Sequence, residues 1–407
     1  MTEHFAMRSI DRRLLLRALG ACGGLTLLSR SSQSRERSDD PQKSLVLVQL
    51  SGGNDGLSTV VPHGDDSYHR ERKTTRHRAS DVLTIDGYRG FHPALKRMHA
   101  RMKEGGLAVI EGVGYANPNR SHFKSLDVWH TADRGGRSSG EGWVGRLCEA
   151  AFGAEALPER VVHVGSTAPY SLYSTRHPAL SFALPRNYRW LENEKELARL
   201  SDVSRDAMDE PSTRRSRLDR LRRVMRDAHA SSRQVRSAVA SYRPKTEYPS
   251  DVFGDSLRTV AALIHSDLGT RILSVELGGF DTHVDQKNRH DRLMRTLDAS
   301  LAPFLEDLEM SESGRETLVL VFSEFGRRVA ENASKGTDHG CASLMLAAGS
   351  HVKGGLYGEH PSLSKLDEGD LTFTTDFRSV YATAIRSVFG IDPGRALGSD
   401  YPTLGFV

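Results

Sequence analysis

Six short apolar runs rich in β-branched residues, each followed by a glycine-containing turn, limit what this chain can fold into. They cover residues 45–50, 107–110, 161–164, 272–277, 318–322 and 344–347. Runs of this length and composition read as strands. Helical patterns fall between or after them, over residues 92–103, 122–129, 252–266, 286–308 and 376–388. Alternation of strand and helix predicts an α/β fold with a mostly parallel central sheet and helices on both faces. In such sheets ligands bind beyond the carboxyl ends of the strands. At 407 residues the chain has room for one large domain with insertions, or for two domains.

Charge narrows the partners. The 56 basic residues are nearly balanced by 52 acidic ones, leaving +4, so the overall charge gives no reason to expect nucleic acid. Residues 205–243 are locally basic and read as a helical insertion, with Leu218, Leu221, Val224 and Met225 as its buried stripe. Asp219 and Asp227 dilute that charge and Tyr242 is its one aromatic residue, so a solvated helix face is expected. The three cysteines, Cys22, Cys148 and Cys341, are too few for a disulfide scaffold, and spacing leaves open whether Cys148 meets Cys341. Nothing beyond the first thirty residues approaches the apolar run that a membrane span requires.

Residues 1–28 have the form of a twin-arginine export signal. Arg12 and Arg13 precede a mildly apolar stretch over residues 14–28, interrupted by Arg17. The twin-arginine translocase is therefore an expected partner, with a periplasmic or extracellular destination. Leu19-Gly20-Ala21-Cys22 resembles a lipoprotein box placed too early, and no A-x-A-like cleavage site follows. Residues 29–43 then form a polar linker.

The polar motifs sit where the strand-end rule places a site. Ser51-Gly52-Gly53-Asn54-Asp55-Gly56 follows the first strand. Its glycines allow close backbone approach, and Asn54 and Asp55 offer hard oxygen ligands, although Asn-Asp-Gly also makes an ordinary turn. After the second strand, Arg120-Ser121-His122 opens a helix. There Ser121 is either a simple N-cap or a nucleophile at the positive end of a helix dipole, with Arg120 holding the oxygens of an anionic ester. His122 is open to three roles: ligand, general acid or helix-surface residue. Asp281 and His283 in Gly278-Gly279-Phe280-Asp281-Thr282-His283 have the makings of a two-ligand metal corner. Glu324, in Ser323-Glu324-Phe325-Gly326-Arg327-Arg328, reads as a ligand or as the first turn of a helix. Asp338 and His339 lead into the last strand. Four strand ends and one adjoining loop thus all bear carboxylate, imidazole or hydroxyl groups, which predicts a shared metal site.

These motifs resemble the DUF1501 family. LVLVQLSGGNDGLSTVVP, GVGYANPNRSHF, GGFDTH, VFSEFGRRVAENASKGTDHG and TTDFRSVYATAI follow in the family's order, over a single domain spanning residues 44–407. The resemblance implies an alkaline phosphatase-like three-layer sandwich that carries one or two divalent cations (Zn, Mn, Mg or Ca). It assigns Asp55, Asp281, His283, Glu324, Asp338 and His339 to metal, and Ser121, Arg120 and His122 to chemistry on a small anionic ester. Two positions depart from the wider group. Phe325 stands where a paired histidine is expected, and Ser125 stands where formylglycine-type sulfatases carry arginine. The expected function is a metal-dependent hydrolase of phosphate esters, with sulfate esters second. An exported binding or assembly protein with a degenerate metal site is the alternative.

Overall fold

A computed structural model describes residues 42–133, 140–154, 157–184, 231–266 and 268–407. The expected export signal, most of the linker and residues 205–230 of the basic insertion lie outside the described residues. The central sheet has nine strands: β1 (Ser44–Ser51), β2 (Leu107–Gly114), β3 (Val161–Val164), β4 (Leu180–Phe182), β5 (Ile272–Gly278), β6 (Thr317–Phe322), β7 (Ser343–Ala348), β8 (Gly355–Tyr357) and β9 (Thr375–Asp376). Their order is β8-β2-β7-β6-β1-β5-β3-β4, with β9 beside β2. All pairings are parallel except those of β7, which runs antiparallel to both β2 and β6.

The helices that cover this sheet are α1 (Lys96–Lys103), α2 (His122–Thr131), α3 (Trp143–Phe152), α4 (Val252–Ile264), α5 (Gln286–Glu309) and α6 (Phe377–Phe389). Alternate residues of β1 divide between two cores. Val46, Val48 and Leu50 pack with Met98 of α1, Leu257 of α4 and Met294, Leu297 and Leu301 of α5. Leu45 and Leu47 pack with Trp129 of α2, Leu147 of α3 and Val380 and Ile385 of α6. A central strand loaded on both faces needs apolar residues at every position, and each fully buried side chain of this size contributes about 1.5–3 kcal/mol. The result is the three-layer α/β sandwich expected from the sequence. The second end of the basic insertion, residues 231–241, is helical and sends Val235 into the first core. No described helix is long and apolar enough to cross a membrane.

Candidate metal centre

The carboxyl ends of β1, β5 and β6 lie side by side, with Ser51 opposite Gly278 and Gln49 opposite Phe322. Because β7 runs antiparallel, the loop that enters it arrives at the same edge. The glycines after β1 serve a close approach within the protein itself. A Cβ on Gly52 would meet the Asp281 backbone nitrogen at 2.3 Å, and one on Gly53 would meet the Phe325 ring at 2.2 Å. Both have positive φ, +119° and +77°, which side-chain-bearing residues rarely adopt.

Four side chains meet there. The Nε2 atoms of His283 and His339 are 2.9 Å apart, and each lies 3.0 Å from Asp281 Oδ1. His122 Nε2 approaches the same oxygen at 3.8 Å. The other nitrogen of each ring is held from behind. His122 Nδ1 donates to Glu324 Oε1 (2.8 Å), His283 Nδ1 to Asp338 Oδ1 (3.1 Å), and His339 Nδ1 to the Arg120 carbonyl (2.8 Å). A carbonyl can only accept, so the Nδ1 of His339 carries the proton and its Nε2 lone pair faces a carboxylate oxygen. Acceptors 3 Å apart repel unless a proton or a cation lies between them. Imidazoles whose second nitrogen is held by an oxygen acceptor are the usual arrangement around a metal ion. Four-coordinate zinc at about 2.0–2.1 Å sets its ligand atoms about 3.3 Å apart; His122, Asp281 and His339 are the three whose ligand atoms all lie within reach of one another, and they could hold a single ion of this kind. The cluster is open to solvent, for the Asp281 side chain is half exposed.

Nothing in its sequence context singles out Arg327. Its fully buried guanidinium donates to the carbonyls of Gly52, Gly53 (2.7 Å), Phe280 (3.0 Å) and Thr337 (2.9 Å), and to Asp281 Oδ1 (2.7 Å). One cation thereby ties together three loops: those after β1 and β5, and the β6–β7 connection that carries both Arg327 and Thr337. Burial raises the carboxyl pKa of Asp281, but Arg327 outweighs it and holds it down at about 2. Gln286 is a second unforeseen organiser. It donates to Asp55 Oδ2 (2.5 Å) and accepts from Thr282 (3.2 Å) and Thr337 (2.5 Å), the neighbours of Asp281 and Asp338.

Other expected site residues stand elsewhere. Asp55 is absent from the histidine cluster. It is fully buried and accepts from Arg72 through both carboxylate oxygens, and from Ser58 (2.6 Å) and Gln286. Burial would raise its pKa, but Arg72 outweighs this and holds it at about 2. Ion-paired to Arg72 and saturated at Oδ2, it anchors the loop and stands apart from the histidine cluster. Asn54 is likewise committed, to Thr59 and His290. Glu324 is buried among donors, with Gly52 N–H and His122 on Oε1 and Ser323 on Oε2, so it orients His122 from behind. No helix follows it. Asp338 plays the same part for His283. Arg120 turns its side chain to Asp370 (2.6 Å) and contributes its carbonyl to His339. Ser121 is exposed at the N-cap of α2, and its side chain makes no capping hydrogen bond. Phe325 is buried against the imidazoles of His122 and His339, at centroid distances of 4.9 and 4.7 Å. Ser125 is internal, donating to the Glu324 carbonyl at 2.5 Å. Cys148 and Cys341 are both free thiols.

The Asp55–Arg72 pair gives a sharp expectation. Asp55→Ala leaves a buried guanidinium uncompensated and costs about 3–5 kcal/mol of stability. Chemical denaturation checks this, and unchanged stability together with lost metal would restore Asp55 as a ligand.

The sequence matches, over residues 106–398, the family described as "Protein of unknown function (DUF1501)". The chain belongs to the DUF1501 family. No curated protein matches it. Among solved structures, it is similar to the C-terminal periplasmic domain of EcEptC from Escherichia coli, at 11% identity and a TM-score of 0.43 over 89% of this chain and 87% of that one. It is also similar to a protein in the alkaline phosphatase superfamily from Vibrio parahaemolyticus (10%, TM-score 0.39, covering 88% and 70%). A third similar structure is a putative sulfatase from Bacteroides thetaiotaomicron (8%, TM-score 0.35, covering 77% and 66%). Likeness at these identities concerns the fold alone.

A second grouping in this DUF1501 chain, His77, His92 and Asp291, also has metal-ligating atoms within reach of one another. Its hydrogen bonds account for it without an ion. His92 Nδ1 accepts from Ala94 N–H (3.1 Å), so Nε2 carries the proton and donates to Asp291 (2.8 Å). Lys287 lies 3.3 Å from His77 Nδ1, where its charge disfavours a second cation. Burial pushes His77 and the neighbouring His290 down to about 3, and His163 in β3 down to about 4. In the unfolded chain each takes up a proton near its ordinary value of 6.5, while in the folded protein each stays neutral. Stability is therefore retained above about pH 6.5 and lost as the pH falls toward 4, at about 1.4 kcal/mol per unit for each histidine. The melting temperature is expected to drop steeply between pH 6.5 and 4.5; a flat profile across that interval would contradict burial of neutral histidines.

Proposed function

We propose that this protein is an exported, metal-dependent hydrolase of phosphate esters, with sulfate esters as the second class. The observation that carries the reading is the approach of His122, His283 and His339 to Asp281 Oδ1, with each Nδ1 held by an oxygen acceptor and with His122, Asp281 and His339 all within reach of one another. A divalent cation among these donors would supply Lewis acidity, lowering the pKa of a hydroxyl and polarising the ester. Ser121 is the nucleophile of this reading, since its hydroxyl is free of a cap bond and adjoins His122. The backbone N–H groups of the first turn of α2 would receive the ester's anionic oxygens. Arg120, expected to do this, is instead occupied by Asp370. Glu324 and Asp338 keep His122 and His283 in the orientation that turns Nε2 inward.

Export by the twin-arginine translocase, to the periplasm or beyond, rests on Arg12 and Arg13 and the apolar stretch behind them. A second reading, an exported binding or assembly protein, is favoured by Phe325, whose ring packs against two of the imidazoles. Turnover of an aryl phosphate by metal-loaded protein, beside the Ser121→Ala variant, decides between them. Absence of turnover across a broad ester panel with metal restored would favour the binding protein.

A further inference from the structure

Glu276 is out of place for a central strand. Its neighbours Val275 and Leu277 are buried, yet Glu276 itself is exposed. The sheet explains the opening. On one side Glu276 lies opposite Gln49 of β1, but on the other β3 ends at Val164, opposite Val275, and leaves Glu276 unflanked. Its side chain is on the face that carries α2, α3 and α6, because Ile272 on the same side of β5 packs in that core. The carboxylate is turned along the strand toward its carboxyl end, for Oε1 lies 3.9 Å from where a Cβ on Gly278 would be. Gly278 is opposite Ser51, and the next residue, Gly52, donates to the Glu324 carboxylate that holds His122. Beside it Gln49 Nε2 donates to Ser51 Oγ (3.0 Å). Among the described residues Glu276 has no ion pair or hydrogen-bond partner.

An uncompensated carboxylate at the same sheet edge as a site for an anionic ester repels substrates that carry further negative charge. It is offset where the departing part of the substrate carries a positive one. We propose that Glu276 is a specificity residue that recognises a cationic group, an ammonium or guanidinium, on the alcohol portion of the ester. This rests on the proposed reading of the adjoining centre as an ester site. The half-open setting limits the effect to that of a partly solvated ion pair, roughly fivefold in affinity.

The test is calorimetric binding of two non-hydrolysable probes, 3-aminopropylphosphonate and propylphosphonate, to the metal-loaded full chain at low salt. The amino compound is expected to bind roughly fivefold more tightly, with the advantage shrinking as salt is added. Glu276→Gln should bring the two affinities together and Glu276→Lys should reverse their order. Equal affinities in the wild type, a preference that survives Glu276→Gln, or failure of both probes to bind would overturn the proposal. Phenyl phosphate turnover, measured alongside, separates the two ideas. Turnover without the preference removes the role of Glu276 and keeps the hydrolase; the preference without turnover does the reverse.

Discussion

Ser121→Ala is expected to lower phosphate-ester turnover by at least about 10³-fold, the scale on which removing a covalent nucleophile acts. Metal content and thermal unfolding should stay at wild-type levels. Both halves follow from the position of Ser121. Its side chain is exposed and makes no capping hydrogen bond, so alanine removes little that holds α2 in place. The fixed elements of the centre are the Nδ1 contacts of the histidines and the Arg327 cage, and none of them uses the Ser121 hydroxyl. Rate and stability should therefore separate. Turnover undiminished in the variant would remove the serine mechanism and leave the centre to act, if at all, through a water.

The second large effect concerns metal. Protein purified from the periplasm is expected to carry close to one equivalent of a divalent cation, and the Asp281→Ala, His283→Ala double variant none. One ion is expected because two features close off a second place. Phe325 supplies a ring where a further imidazole would stand, and Arg327 already puts a positive charge 2.7 Å from Asp281 Oδ1. The double variant deletes two of the four converging donors. Loss of even an outer partner of a metal ligand costs about 10–100-fold in affinity, so two direct ligands should be decisive. Elemental analysis before and after dialysis reads the result. Two equivalents would show that Phe325 leaves room for a second ion. No bound metal and no uptake on incubation would make the hydrolase untenable.

The His163, His77 and His290 expectation and the Asp55 expectation draw on different physics, desolvation of neutral imidazoles and rupture of a buried ion pair. They can therefore fail independently of the metal centre.

The fold was legible because it is written in a local pattern. The six expected strands are all present, each within a few residues of its expected bounds, because a strand buried on both faces requires an unbroken apolar run. The helices over residues 122–131, 252–264, 286–309 and 377–389 follow from a 3.6-residue period. Only the first expected helix begins late, at Lys96, because His92 Nδ1 caps the Ala94 N–H and holds the preceding turn open. The short strands β4, β8 and β9 carried too few residues to announce themselves.

By itself the sequence determined which side chains would stand at the carboxyl edge of the sheet, since strand ends fix that. It thereby brought Asp281, His283, His339 and His122 to one place. Tertiary structure alone decided which of the polar residues there face one another. Asp55 and Glu324 look alike as carboxylates in sequence, yet one is closed off by Arg72 and the other stands behind His122. Arg327, which looks like a surface charge, is the buried tie between three loops, and Glu276 is bared where β3 stops one residue short of it. The physical reason is range. Strand and helix signals come from neighbours along the chain, whereas hydrogen-bond and ion-pair partners come from far along it, 275 positions apart in the case of Arg327 and Gly52.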